Sequence, residues 1–234
     1  MGHFIIHLKD STDPTIYIRR AAEIVMEGGI IAYPTDTVYG MGADPRNFNA
    51  VQKIFAIKLR DSSQGVPILV PDLEDALRIG VFRRFEQELC KHYWPGPLTI
   101  IVPLNTSSDI TLNRLVTGGS SNIAIRIPRN PIILGICKIL KELCGFGGII
   151  GTSANYSGQP SLISGKQVVE EFSHILDFII EMGFCKEKIP STIIQFGHED
   201  KNLVEALSIL REGKISRQEL LSVLGTLGGL HEHF

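Results

Sequence analysis

The hydrophobic and polar positions of this chain form two kinds of segment that alternate along its length. In the first kind, apolar residues recur every three or four positions, so that a helix would bury one face and expose the other. In the second kind, apolar residues follow one another directly and stop at glycine, proline or a polar cluster, which is typical of a buried strand. The pattern therefore predicts interleaved helices and strands.

The first pattern predicts a series of helices. Pro131 falls in the first turn of one of them, where proline is well tolerated. A capping box at Ser216-Arg217-Gln218-Glu219 opens the last. The predicted helices cover residues 15–27, 49–57, 72–79, 82–93, 131–143 and 167–175, followed by the one that opens at 216.

The second pattern predicts short strands between these helices. Because the two kinds of element intermix from end to end, the fold class is α/β or α+β, built around one mixed sheet. The predicted strands cover residues 30–33, 66–70, 98–104, 123–127, 149–150, 177–181, 192–196 and 206–210.

Length and composition predict one domain. The chain has 234 residues, of which 44% are hydrophobic and 21% charged, enough for one substantial core. We assign residues 1–225 to that domain and residues 226–234 to a flexible C-terminal tail. No apolar run approaches the roughly 20 residues of a membrane helix, and no signal-peptide pattern opens the chain. We therefore expect a cytoplasmic protein without a membrane partner.

Charge and cysteine usage exclude some classes of function. The net charge of −2 provides no overall basic field for nucleic acid. The four cysteines form no C-x-x-C pair, which argues against zinc, and reduced thiols fit the cytoplasm. The chain also lacks a P-loop, a zinc-protease motif and a nucleophile elbow. We expect no metal held by protein side chains alone.

Polar residues follow the predicted strand 30–33 directly. Thr35-Asp36-Thr37 brings two hydroxyls and a carboxylate after Pro34. These residues either bind a small polar molecule or form a turn that caps the strand end. The residues alone leave both interpretations open.

Cations and hydroxyls recur at other predicted element ends. Lys58 and Arg60 end the helix 49–57, where they either clamp phosphate or face water. Arg126 lies in an apolar strand, where it either points outward or meets an anion. Ser153 and Asn155 follow the strand 149–150, in a stretch that is either a ligand site or an ordinary turn. Ser191 and Arg211 complete the set.

These groups together favour one kind of chemistry. They include several cations and hydroxyls at strand ends, but no covalent nucleophile beside a base. Such a set can orient anionic reactants and neutralise charge, as nucleotidyl transfer requires.

The order of these motifs resembles the YrdC family, the threonylcarbamoyl-AMP synthases, over nearly the whole chain. The K-x-R and S-x-N signature of that family falls on Lys58, Arg60, Ser153 and Asn155. The landmarks are YPTDTVYGMG at 33–42, IFAIKLR at 54–60, WPGPLT at 94–99, IAIRIP at 123–128, TSANYSG at 152–158, PSTII at 190–194 and ILREG at 209–213.

The resemblance implies a fold and a reaction. The fold is a twisted mixed sheet with flanking helices and a large concave cavity, and residues 1–225 are the catalytic domain. The reaction joins L-threonine, bicarbonate or CO₂, and ATP with Mg²⁺ to give threonylcarbamoyl-AMP and pyrophosphate. A separate tRNA threonylcarbamoyl-transferase would then use the product, and a contact with tRNA or double-stranded RNA stays open.

The resemblance also implies roles for individual residues. Lys58 and Arg60 would be catalytic. The ligands of ATP would be Lys58, Arg60, Asn155 and Arg211. The ligands of threonine would be Thr35, Thr37, Arg126, Ser153 and Ser191, although Arg126 could instead serve a phosphate.

Three features depart from the family pattern. No histidine occurs in residues 64–70, where many relatives use one to contact threonine, and Asp61 stands where the family often has proline. The chain also stops near the boundary of the catalytic domain of longer members. The alternatives are a YciO-like paralogue without synthase activity, a double-stranded RNA-binding module and a carbamoyl-transfer module of hydrogenase maturation.

Overall fold

The computed structural model describes residues 4–8, 13–59, 61, 63–197 and 206–228. Its strands include every predicted strand and three short ones that the sequence pattern did not reveal. In chain order they are β1 Phe4–His7, β2 Ile31–Tyr33, β3 Gly40–Gly42, β4 Ile68–Leu69, β5 Leu98–Pro103, β6 Asn122–Arg126, β7 Ile149–Ile150, β8 Thr152–Ser153, β9 Phe178–Glu181, β10 Thr192–Phe196 and β11 Leu207–Arg211.

The mixed α/β class is confirmed, but the prediction of one sheet is wrong. The strands form a five-stranded sheet in the order β1-β9-β2-β3-β8 and a six-stranded sheet in the order β11-β10-β5-β6-β4-β7. Both sheets mix parallel and antiparallel neighbours: β2 runs parallel to β9 but antiparallel to β3, and β5 runs parallel to β10 but antiparallel to β6. The error arose because β3 and β8 contain no apolar run that could signal a strand.

The helices agree with the predicted ones to within a few residues. Helix α6 starts earlier than expected, because Ser164 and Gln167 form a capping box at its first turn. The predicted tail 226–234 begins inside the last helix, and residues 229–234 lie outside the described residues. The helices are α1 Thr15–Met26, α2 Phe48–Lys58, α3 Leu73–Ile79, α4 Arg84–Tyr93, α5 Pro131–Cys144, α6 Gly165–Phe172 and α7 Arg217–Gly228, with a 3₁₀ turn at Arg114–Thr117.

Two hydrophobic cores lie on opposite faces of the five-stranded sheet. Ala32 of β2 packs into the core shared with the second sheet, whereas Ile31 and Tyr33 pack into a smaller core beneath α1 and α5. This division follows from the strand period, because successive side chains point to opposite faces. The described residues contain no helix both long and apolar enough to cross a membrane.

The two sheets meet edge to edge at Gly151. The chain leaves β7 of one sheet, passes through Gly151 and enters β8 of the other. Ile150 N donates to Ala43 O at 3.0 Å, and Gly151 N donates to Pro67 O at 2.8 Å. A Cβ atom on Gly151 would collide with the Leu69 side chain, so only glycine permits this close approach. The junction brings the polar ends of both sheets together.

Candidate functional site

A cavity of about 100 Å³ opens where the two sheets meet. One wall comes from the loop between β2 and β3 of the five-stranded sheet, and a second wall comes from β5, β6, β10 and β11 of the six-stranded sheet. Apolar residues such as Val38, Leu69 and Ile193 fill the space between the polar groups. The polar side chains of the lining are Thr35, Thr37, Thr99, Arg126, Thr152, Ser153, Ser191 and Arg211.

Thr35 and Thr37 play different parts in the loop after β2. Thr35 Oγ1 donates to Val38 O at 2.6 Å and accepts from the backbone N–H groups of Thr37 and Val38 at 3.0 and 3.2 Å. Since a hydroxyl has one donor and two acceptor positions, the turn occupies all of them. The capping turn is therefore confirmed. Thr37 Oγ1 lies 3.0 Å from Thr35 Oγ1 and accepts from Arg126, so a ligand that accepts from Thr37 takes the proton that otherwise points to Thr35.

Arg126 meets an anion from its own chain. Its Nη2 lies 2.6 Å from Asp36 Oδ1, its Nη1 donates to Thr37 Oγ1 at 3.0 Å and its Nε donates to Gly96 O at 2.9 Å. Both charged side chains are 7% exposed. Burial lowers the pKa of Arg126, and Asp36 acts in the opposite direction. Three of the five guanidinium N–H groups are used, which leaves two for a ligand in the cavity.

Asp36 separates this cavity from a second one of about 390 Å³. Arg126 lines the first cavity and Asp36 the second, while Thr35 belongs to both. Arg129 N also donates to Asp36 Oδ1, at 3.0 Å. On the far side, burial raises the pKa of the Cys185 thiol to about 11. The Arg126–Asp36 ion pair thus separates the two cavities.

Lys58 is buried at the end of α2 and does not line the cavity. Its Nζ donates to Ser153 O at 2.6 Å, to Asn155 O at 2.7 Å and to Asn155 Oδ1 at 3.1 Å. These three bonds engage the three N–H groups of the ammonium. The interpretation of Lys58 as a solvated helix end is therefore wrong, and its bonds bind α2 to the turn at 153–155. Arg60 lies outside the described residues.

Asn155 supports this turn from within. Ser153 Oγ donates to Asn155 Oδ1 at 2.5 Å, and Asn155 Nδ2 donates to Tyr156 O and Gln159 O at 2.9 and 2.6 Å. Asn155 is buried and does not line the cavity, whereas Ser153 does. The turn therefore presents Ser153 on a base that Lys58 and Asn155 hold.

Ser191 and Arg211 belong to the wall formed by the six-stranded sheet. Arg211 donates to Ser191 O through Nε at 3.1 Å and Nη2 at 2.9 Å, and Nη2 also lies 3.1 Å from Ser191 Oγ. Thr99 Oγ1 lies 2.9 Å from Ser191 Oγ. Sequence reasoning treated Thr99 only as part of a landmark. The available signal was a single hydroxyl inside the apolar run Leu98 to Val102.

The structure brings most of the predicted site residues together. Lys58 and Asn155 lie behind the cavity wall, and Arg60 is not among the described residues. No aspartate or glutamate belongs to the described lining of the cavity, whereas two guanidinium groups do, which favours an anionic ligand. The predicted residues at the cavity are Thr35, Thr37, Arg126, Ser153, Ser191 and Arg211.

Comparisons with known proteins agree on one family. The family model Sua5_yciO_yrdC, described as "Telomere recombination", matches residues 23–213. A curated threonylcarbamoyl-AMP synthase of Pyrococcus abyssi is 33% identical over 211 residues, covering 90% of this chain and 58% of that protein. This chain therefore spans less than two thirds of the relative's length.

Solved structures share the fold. P. abyssi Sua5 complexed with L-threonine superposes with a TM-score of 0.81 at 32% identity, covering 95% of this chain and 61% of that one. E. coli YCIO superposes with a TM-score of 0.78 at 23% identity, covering 94% of this chain and 99% of that one, a likeness that shows the fold alone.

Proposed function

Because this chain belongs to the Sua5/YciO/YrdC family, we propose that it is a nucleotidyltransferase that makes threonylcarbamoyl-AMP from L-threonine, bicarbonate or CO₂, and ATP, with release of pyrophosphate. One observation carries the proposal: a cavity with two guanidinium groups and several hydroxyls lies in the fold of a relative that binds L-threonine. The product would supply a tRNA threonylcarbamoyl-transferase, as the resemblance implies.

The reaction needs no nucleophile from the protein. The amine of threonine attacks CO₂ and loses a proton, which gives an N-carboxylate. An oxygen of that carboxylate attacks the α-phosphorus of ATP, and the bond to pyrophosphate breaks. Orienting the reactants can contribute about 7–11 kcal/mol to lowering the barrier. A rigid cavity lined by hydroxyls and guanidinium groups suits that task.

The geometry supports a role for Arg126 in binding L-threonine instead of ATP. Asp36 already balances its charge, so the pair as a whole is neutral and is better matched to one carboxylate than to a polyphosphate. Its two remaining N–H groups and the Thr37 hydroxyl face the same cavity. We assign the carboxylate of L-threonine to Arg126 and Thr37, with Thr35 holding their loop.

Arg211 supports a phosphate-side role. Arg211 is exposed to solvent and lines the cavity. Its Nη2 also donates to Ser191 O. A planar guanidinium in the cavity lining suits the phosphates of ATP. The ATP-side and catalytic roles of Lys58, Arg60 and Asn155 rest on the resemblance. Direct contact between Lys58 and phosphate would require the exchange of one of its three present hydrogen bonds.

Mg²⁺ enters this proposal only as the companion of ATP. The described residues contain no group of three histidine, cysteine or acidic side chains placed to hold a metal ion. The described cavity wall offers neutral hydroxyls and cations instead of carboxylates, so these residues do not fit a resident Mg²⁺.

Mass spectrometry of the product tests the proposal. The protein is incubated with ATP, L-threonine and bicarbonate, and pyrophosphate release is measured in parallel. We expect threonylcarbamoyl-AMP, with pyrophosphate release that depends on both threonine and bicarbonate. Absence of the product, or release that ignores threonine, would contradict the synthase and favour the YciO-like alternative, whose fold this chain shares.

A further inference from the structure

Thr99 lies in the middle of the cavity wall formed by the six-stranded sheet. It pairs with Ile193 of β10 on one side of β5. On the other side of β5, the antiparallel strand β6 pairs its Ile125 with Ile100. Thr99 precedes Ile100 and Arg126 follows Ile125, so these two residues are the next pair along the two strands. Thr99 is therefore placed between Arg126 and the start of β10, and it lines the same cavity as both.

The Thr99 hydroxyl is a costly choice at this position. The side chain is 1% exposed and stands in an apolar run of β5. Valine has nearly the same shape and a high strand propensity, and it would avoid burying a polar group. The strand itself gains nothing from the hydroxyl, so its role lies in the groups that it can contact, which are Ser191 and a molecule in the cavity.

The Thr99 and Ser191 hydroxyls carry two protons, and the hydrogen bond between them uses only one. The two oxygens lie 2.9 Å apart, and one O–H proton makes the bond between them. Arg211 donates to Ser191 Oγ and so occupies one of its lone pairs. Whichever hydroxyl donates within the pair, the other keeps its proton for a group outside the pair. The guanidinium also polarises the pair and strengthens this donor.

The charges around the pair indicate the kind of acceptor. Arg126 and Arg211 line the cavity with the hydroxyl pair, and the described lining contains no carboxylate; Asp36, which balances Arg126, lies behind that lining. A hydroxyl donor among guanidinium groups suits an anionic oxygen.

We propose that Thr99 is a further substrate-binding residue, whose hydroxyl, paired with that of Ser191, donates a hydrogen bond to the carboxylate of the amino-acid substrate. The proposal rests on the function proposed above, and it extends the threonine site from Thr37 and Arg126 across β5 to Ser191. In this arrangement Ser191 Oγ, which accepts from Arg211, donates to Thr99 Oγ1, and the proton of Thr99 is the one that reaches the substrate.

Isothermal titration calorimetry of Thr99→Val tests the proposal without relying on turnover. The substitution removes the hydroxyl and keeps the shape, so thermal unfolding should stay near that of the original protein. We expect L-threonine to bind about 10- to 100-fold more weakly, the usual effect of losing a hydrogen bond to a charged group. ATP affinity should stay within about twofold, because the proposed partner of Thr99 is the carboxylate of the amino acid.

Thr99→Ser is the matched control, since it restores the hydroxyl and loses only a methyl group. We expect it to recover most of the affinity for L-threonine. A second ligand, L-2-aminobutyrate, has the same carboxylate but no side-chain hydroxyl. If the carboxylate is the acceptor, Thr99→Val weakens the binding of both ligands by the same factor.

The outcomes are distinguishable. Unchanged threonine affinity in Thr99→Val overturns the role of Thr99 and leaves the proposed function intact. A loss confined to L-threonine, with no loss for L-2-aminobutyrate, overturns the carboxylate assignment. A loss that Thr99→Ser does not repair assigns the effect to packing and also overturns the proposal. Failure of the original protein to bind L-threonine overturns the proposed function and this inference together.

Discussion

Arg126 and Lys58 are both buried cations beside the same cavity, yet their surroundings give them different tasks. Arg126 bonds to Asp36, Thr37 and Gly96 and keeps two N–H groups at the cavity. Within the described part of the chain, Lys58 Nζ donates to three oxygens of Ser153 and Asn155, which lie behind the wall. The comparison teaches that burial of a cation does not define its role. The number of donors left over after the protein is satisfied decides whether it can bind a ligand.

The largest expected effect comes from removing the charge of Arg126. Arg126→Gln leaves Asp36 as a buried carboxylate without its partner, which should lower the free energy of unfolding by about 3–5 kcal/mol. It should also abolish measurable binding of L-threonine. Denaturant unfolding and calorimetry measure the two effects.

Asp36→Asn/Arg126→Gln is the control for this prediction, because it removes both charges together. We expect it to recover part of the lost stability but none of the threonine affinity. Normal threonine binding by Arg126→Gln would remove Arg126 from the site.

Lys58→Met tests whether Lys58 holds the turn at 153–155 or binds phosphate. Loss of the ammonium leaves the buried oxygens of Ser153 and Asn155 without that donor, which should cost about 1–3 kcal/mol of stability. Because the turn at 153–155 would shift, the affinities for threonine and ATP should fall together. If Lys58→Met unfolds like the original protein and loses only ATP affinity, Lys58 is instead a phosphate ligand.

Thr35→Val and Thr37→Val separate two roles within one loop: Thr35 holds the turn, and Thr37 binds the ligand. Thr35 is engaged by the turn, so its replacement should cost about 1–2 kcal/mol of stability. Thr37→Val should change stability less and weaken L-threonine binding more. Thermal unfolding and titration calorimetry of both variants measure the contrast, and a reversed order of the two effects would refute the assignment.

The smallest expected effect lies far from the cavity, at Asp72. Its pKa is lowered: burial acts to raise it, but the backbone N–H of Asp75 and the ammonium of Lys141 outweigh that effect. A lowered pKa in the folded state adds stability above the unfolded pKa of about 3.9, and this stability is lost as the pH falls through the folded value. Asp72→Asn keeps an N-cap side chain for α3 and removes the charge.

The stability difference between Asp72→Asn and the original protein should be below about 1 kcal/mol at pH 7, because the pair with Lys141 is partly exposed and water screens it. It should begin to fall as the pH drops below about 4, and it should be lost once the pH has passed below the lowered pKa of Asp72 in the folded state. Denaturant unfolding across this pH range measures it. A difference that grows at low pH would show that the sign is wrong.

Local pattern predicted the long elements well for identifiable reasons. Helix α5 was placed within one residue, since Pro131 marks its first turn and Gly145 its end. Strand β10 was placed without error, because its run of apolar residues is bounded by polar positions. Strands β3 and β8 were not predicted. They are three residues, Gly-Met-Gly, and two residues, Thr-Ser, and they owe their conformation to neighbouring strands of the sheet.

The candidate site divides in the same way. The sequence by itself determined the residue types, the element ends at which they occur and the family that their order resembles, because local propensity and motif spacing are properties of neighbouring residues. Only the tertiary structure decided that Asp36 balances Arg126, that Lys58 holds a turn, and that Thr99 lies between Arg126 and Ser191. These pairings join residues up to 97 positions apart, and only the meeting of the two sheets at Gly151 brings both walls to one cavity.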